Sequence, residues 1–228
     1  MAYGSFTSLD TVIIGGWFVI IGYFFILFIY FLAFRYRETK NPFHLGFGLF
    51  FLLLGVGRAF FLVYDYYAKE TLWWTIATTV SWFAIFTVFL TLTYQILEKH
   101  LWQVLLTSCP PLIIAILVLI LPQFFYPELV PPPLGYFAIN YAILPLYSIV
   151  LPILFFYIGF QLVGQLRISN FLIGGGFMIY YMGRVAQSSL VIEFLNAIAP
   201  FLGNILAPIL VFFSLVLIAA GVLYLEQE

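Results

Sequence analysis

Arg58 and Arg184 are the residues in this sequence best placed to do chemistry, because each is a full charge set inside a long apolar run. Each directly follows a glycine (Gly57, Gly183) and has another glycine ten positions earlier (Gly48, Gly174). A charge inside a bilayer costs roughly 2.5 to 3.5 kcal/mol on insertion scales, so such a residue marks a binding site or an ion pair whose partner can be named. Guanidinium presents planar, bidentate donors to a carboxylate or phosphate, which makes a small anion the ligand to expect.

Two carboxylates compete for the same role. Asp65 lies seven residues past Arg58, on the same helical face two turns on, whereas Glu193 lies nine past Arg184 and points to the opposite face. If the two arginine-bearing helices are neighbours, an Arg58–Glu193 or Arg184–Asp65 pair becomes possible. Gln187 and Ser188 follow Arg184 at i+3 and i+4, on its face. Asn196 and Asn204 stand eight apart beside Pro200 and Pro208, and Asn140, Tyr141, Tyr147 and Ser148 add polar groups at similar depth. Thr71, Thr75, Thr78 and Trp82 follow helical spacing and would give one face hydroxyls and an indole. Two readings stand: a pocket that opens outward and holds an anion on one or both arginines, or arginines satisfied by Asp65, Glu193 and freed carbonyls that only fix helix packing.

The elements that carry these residues must lie in a membrane. The chain has 228 residues, of which 65% are hydrophobic, 21% aromatic and only 7% charged, with a mean hydropathy of +1.15, which excludes a soluble globule with an ordinary polar surface. Eight basic and nine acidic residues, scattered, form neither a nucleic-acid footprint nor a polybasic lipid patch. A lone cysteine, Cys109, excludes an intrachain disulfide and a cysteine-based metal cluster. His44 and His100 sit at predicted membrane edges rather than at helical spacing from each other, which does not suit a haem or zinc site. No cofactor is expected. The first apolar run has no basic region before it and no cleavage site after it, so it reads as a retained helix.

About 20 apolar residues cross a bilayer, and seven stretches reach that length: residues 11–34, 43–67, 72–97, 101–125, 136–163, 171–195 and 198–225. The expected fold is therefore a single all-α domain, a seven-helix transmembrane bundle. Ser8 or Asp10 is a natural cap for the first span, Asn41-Pro42 for the second and Ser169-Asn170 for the sixth. Cys109-Pro110-Pro111 should kink the fourth, Pro145 and Pro152 lie in the fifth, and Pro131-Pro132-Pro133 suits a stiff loop. Arg35, Arg37, Lys40, Lys99 and Arg167 fall on one side and Lys69 on the other, which puts the N-terminus outside and the C-terminus in the cytoplasm. Both arginines then lie in the outer half, about 20 Å from the start of their spans.

Spans two and six match at Gly-x9-Arg, at the glycine before the arginine, at Phe51 and Phe177, and in an asparagine (Asn41, Asn170) near their start. That pattern suits a parallel 3+1+3 repeat with the fourth span as connector. Seven helices in that arrangement resemble the SWEET sugar transporters and the layout proposed for microbial rhodopsins, and in size and span number the chain is similar to the membrane sensor regions of some histidine kinases. The last span contains no lysine, so a retinal Schiff base is excluded, and the Pro122-Gln123 pair ends span four rather than lying in spans one and five.

Catalytic constellations are missing: there is no serine–histidine–aspartate set and no pair of carboxylates at one depth, so no enzyme is expected. The first expectation is a receptor-like sensor in the cell membrane that binds a small anion from outside and signals to a cytoplasmic or membrane partner. The chain ends three residues past the last span, so an effector would have to be supplied by that partner or by a longer parent chain. The alternatives are a small 3+1+3 transporter and a structural or assembly subunit in contact with lipid and protein only. The apolar inner halves of spans 1, 2, 5 and 7 favour the sensor over the carrier.

Overall fold

The computed structural model describes residues 8–68, 70–96, 100–114, 116, 144–187, 189–199 and 201–224, and among them every regular element is helical. Among the described residues four helices are long and apolar enough to cross a membrane: Thr11–Thr39, Pro42–Tyr67, Leu72–Tyr94 and Leu202–Tyr224. The protein is membrane-embedded and all-α. Packing divides the chain into two compact units, one holding the described residues 17–116 and the other Ser8–Gly16 with the described residues 144–224.

α1 (Ser8–Ile29), which belongs to the first unit from Trp17 on, runs through a π-helical turn, Tyr30–Tyr36, and a last α turn, Arg37–Thr39. Lys40 stops it in the left-handed region at φ 54°. Asn41 then accepts the Phe43 N–H at 2.9 Å through its side chain, and Pro42 fills the first position of α2 (Pro42–Leu62), as the sequence predicts. Thr39 ties the corner. Its hydroxyl donates to Arg35 O at 2.8 Å and lies 2.8 Å from Nδ1 of the buried His44, which must therefore carry the proton of that bond. α2 extends into a second π turn, Val63–Tyr67. α3 (Thr71–Thr91) returns alongside α2 and ends in a third, Leu92–Ile96, and α4 (Leu101–Ile114) packs on α3. Phe24, Phe31, Phe47, Phe50 and Phe51 are buried together, with Phe31 stacked on Phe51 at 5.7 Å and 15°.

The second unit contains α5 (Leu144–Gln161), α6 (Gly164–Ala186), α7 (Ser189–Ile198) and α8 (Leu202–Tyr224). α6 packs between α5 and α8, and α7 lies along α8. Close approach of α6 to α8 is made by glycine on both sides. A Cβ on Gly176 would lie 2.9 Å from Ser214 O, and one on Gly221 would lie 2.9 Å from Ser169 O.

The sixth span differs from its predicted limits of 171–195. α6 begins at Gly164, whose φ of 66° lets the chain turn out of the preceding helix, and it ends at Ala186, so residues 189–198 form a separate helix. Ser169 and Asn170 are not caps. Both are buried inside α6, where Ser169 donates to Gly221 O of α8 at 2.5 Å and Asn170 donates back to Leu166 O at 2.8 Å. The seventh span is likewise shorter than 198–225, because α8 begins at Leu202 after Phe201 in the left-handed region, with Ile198 left on α7. Pro110 and Pro111 lie inside α4, and Pro152 lies inside α5. The Pro131–Pro133 loop and the outer part of the predicted fourth span lie outside the described residues.

Candidate functional site

Arg58 sits four residues before the end of α2, directly after Gly57. Gly57 makes the α2–α3 seam close: a Cβ there would be 3.0 Å from Ser81 Oγ and 3.2 Å from Ala77 O. At the other end of the seam Gly46 faces Thr91. Those two contacts fix an antiparallel register, which puts Arg58 at the level of Thr78 and Thr79. On its other side, α2 meets α1 through Gly55 against Phe24 and Gly48 against Phe31.

The arginine is held by its face and by one edge. Its guanidinium carbon lies 3.4 Å from the centre of the Trp17 ring, a stacking distance, and 6.0 Å from that of Phe61. Trp17 comes from α1 and is only 3% exposed. A cation stacked on a desolvated indole gains about 2 kcal/mol. Arg58 Nη2 stands 3.8 Å from Asp65 Oδ2, with the arginine side chain 12% exposed and the aspartate 42%. Asp65 reaches back from the π turn Val63–Tyr67, whose wide coil is closed by Ala68 N donating to Val63 O at 2.8 Å. One partner of the ion pair is therefore sheltered and the other opens to the surroundings. At 3.8 Å the pair is long for a charge-assisted hydrogen bond, which runs near 2.7–2.9 Å.

α3 supplies a second polar feature. Ser81 donates to Ala77 O at 2.8 Å, Thr87 to Ala84 O at 2.7 Å and Thr91 to Thr87 O at 2.7 Å, so these hydroxyls are satisfied by their own helix. Thr78 and Thr79 are as buried, at 3% and 8% exposure, yet their hydroxyl oxygens have no hydrogen-bond partner. A buried hydroxyl left so costs about 1–3 kcal/mol. Thr75 and Trp82 of the same stripe are also buried.

The other sequence-predicted residues are dispersed. Asp65 meets Arg58 on its own helix. Arg184 is half-buried in the last turn of α6, and Gln187 follows the end of that helix, its N–H donating to Arg184 O at 3.2 Å. Glu193 is exposed on α7; the helix break between it and Arg184 removes the continuous face on which their relation was reckoned. Asn196, also on α7, accepts the Gly203 N–H at 2.9 Å and braces the turn into α8, where Asn204 is half-buried. Ser188, Asn140 and Tyr141 lie outside the described residues. Sequence reasoning overlooked Trp17 and Thr79. The available signal for Trp17 was its position: it is the one tryptophan in the first apolar run and lies well inside it.

No protein-family model matches the chain, and neither a curated protein nor a solved structure is significantly similar to it.

Proposed function

We propose that this chain is a seven-helix, multi-pass sensor of the cell membrane that takes up a small organic anion at Arg58 and passes a helix shift to a membrane or cytoplasmic partner. The observation that carries this reading is the asymmetry of the ion pair. Arg58 is fixed against Trp17 at 3.4 Å, while its counter-ion is 42% exposed and 3.8 Å away. An incoming carboxylate can take Asp65's place on the guanidinium without removing the stack that keeps the charge in position. Freed from Arg58, the π turn Val63–Tyr67 can rewind, which would rotate the chain that follows it. The cluster Arg35, Arg37 and Lys40 at the opposite end of α1 and α2 supports a cytoplasmic corner there and an outward Arg58.

A second reading, a 3+1+3 transporter built on a duplicated unit, is favoured by a specific register. Gly48 faces Phe31 Cβ of the preceding helix and Gly174 faces Phe155 Cβ of its own; Gly57 faces α3, and Gly183 faces α8, beyond the short α7. Phe51 stacks on Phe31 at 5.7 Å and 15°, and Phe177 on Phe155 at 5.6 Å and 17°. These matches support a repeat, and a repeat suits alternating access as well as signalling.

Thermal stability of the purified protein in nanodiscs, with and without millimolar acetate, propionate, lactate, succinate and inorganic phosphate, tests the sensor reading. An anion that binds the folded state raises Tm, by a free energy of about 2.7 kcal/mol at a hundredfold excess over its Kd. The expected result is a rise for wild type that is absent in Arg58→Ala. A wild type indifferent to every anion, with Arg58→Ala merely melting lower, would make the arginine structural. Uptake of the same labelled anion into proteoliposomes would favour the transporter.

A further inference from the structure

Within the anion-sensor reading, on which this step rests, we infer that the signal leaves through the α1–α2 corner, carried there from Arg58 by a ladder of stacked rings between the two helices. Arg58 on Trp17 is the outer rung. Seven residues back along α2 and seven on along α1, Phe51 meets Phe24, with ring centres 6.4 Å apart. After seven more on each helix, His44 stacks on Phe31 at 6.3 Å and 18°. Phe31 also stacks on Phe51, at 5.7 Å and 15°, which ties the two inner rungs together. A step of seven along both helices is the heptad register of a coiled-coil seam. Glycine closes the gaps between the rungs: a Cβ on Gly55 would lie 3.1 Å from Phe24 Cβ, and one on Gly48 would lie 3.4 Å from Phe31 Cβ. None of the five rings is more than 6% exposed. A seam packed so tightly has no slack, and slipping it would break every rung at once, so α1 and α2 shift together.

The ladder ends on a bond that such a shift strains. The Thr39 hydroxyl has one proton and two lone pairs. Its proton goes to Arg35 O at 2.8 Å, one lone pair takes the Asn41 N–H at 3.2 Å, and the other faces His44 Nδ1 at 2.8 Å. His44 thus belongs to the ladder through its ring and to the chain reversal through its nitrogen. Arg37, Glu38 and Lys40 beside it are exposed, a charged surface that a partner can read. Arg58 and His44 stand about 21 Å apart along α2, and sites so distant act independently unless something connects them. An anion that draws Arg58 toward itself pulls on the whole ladder and works against the Thr39–His44 bond. By linkage, loosening that bond eases anion binding.

The test takes propionate as the probe, in nanodiscs, and reads its affinity from Tm titrations and the state of the corner from amide hydrogen exchange over residues 37–46. In wild type, saturating propionate should speed that exchange severalfold, and Thr39→Ala should lower the propionate Kd severalfold. Cutting the ladder at its middle rung, by Phe51→Leu or by Phe24→Leu, should leave propionate bound and abolish both effects. Phe155→Leu removes an equally buried ring outside the ladder and should keep both. Arg58-dependent binding that leaves exchange at the corner unchanged or slower overturns this inference, and the sensor reading stands. Effects that survive both ladder variants, or that vanish in Phe155→Leu as well, also overturn it. Failure of propionate to bind in an Arg58-dependent way removes the sensor reading for this probe and the inference with it.

Discussion

Counting back from its arginine, the middle helix of each unit uses glycine for similar contacts: ten residues before it against the preceding helix, one residue before it against a later one, α3 in unit one and α8 in unit two. Eight residues before the arginine they part. Unit one has Phe50, buried in its aromatic cluster, where unit two has Gly176, pressed against the backbone of α8. Beyond the arginine the difference is larger. α2 continues through Tyr67 and so brings Asp65 to Arg58, whereas α6 stops at Ala186, two residues past Arg184. The third helices differ in the same sense. α3 buries Thr75, Thr78, Thr79 and Ser81, while the middle of α8 buries one hydroxyl, Ser214, among Ala207, Pro208, Val211 and Leu215. Shared positions serve packing, and what the longer middle helix of unit one adds is the ion pair of Arg58 with Asp65.

The sharpest way to break this comparison is to exchange the packing solutions. Gly176→Val should be strongly destabilising, because its Cβ would meet Ser214 O at 2.9 Å and Ile218 N at 3.0 Å, backbone atoms that cannot turn aside. A loss on the order of 3 kcal/mol is expected from such overpacking. Gly175 has nothing within 4 Å of its Cβ position, so Gly175→Ala should be neutral or gain up to about 1 kcal/mol from helix propensity. Denaturation in mixed micelles followed by circular dichroism separates the two. Equal effects would mean that α6 and α8 are not held by close glycine contact.

The next test sets one arginine against the other. Trp17→Ala, which strips the face of Arg58, should lower stability by about 3–5 kcal/mol through the lost indole and the cavity it leaves, part of it the stacking itself. Trp17→Phe keeps the volume better and should cost about 1 kcal/mol. Either change should weaken an anion that Arg58 binds. If the anion is held by Arg58 on Trp17, Arg184→Ala should leave its affinity within twofold; an equal loss from both arginines, read by Tm titration, would undo the assignment of the site to Arg58.

How much of this was open to sequence reasoning depended on local against tertiary signals. The start of α2 was legible because Asn41-Pro42 completes its cap within three residues. The start of α6 was misread because Ser169-Asn170 has the same chemistry, but there the serine bonds a carbonyl 52 positions away. Nothing in a uniformly apolar run marks its ends by periodicity, so the break after Ala186 passed unnoticed and Glu193 was placed on the wrong helix. The Arg58–Asp65 pair was visible in outline, since seven residues return to one helical face. Trp17 was not, because its stack on Arg58 joins residues 41 positions apart, a contact that only packing of α1 on α2 creates.

The smallest expected effect on stability sharpens the comparison most. Asp65 is 42% exposed, and an ion pair so open is worth less than about 1 kcal/mol once solvent screens it. Asp65→Asn should therefore melt within a few degrees of wild type. Its effect on anion binding should run the other way. If Asp65 is a counter-ion that the ligand displaces, neutralising it removes a competitor and a repelling charge, and affinity should rise severalfold, more at low salt than at high. If Asp65 instead touches the ligand, as it would touch the ammonium of an amino acid, affinity should fall. Titrating propionate and alanine against wild type and Asp65→Asn at two salt concentrations decides between them: a gain for propionate makes the extension of α2 beyond Arg58 a latch that the anion opens, and a selective loss for alanine makes it half of a zwitterion site.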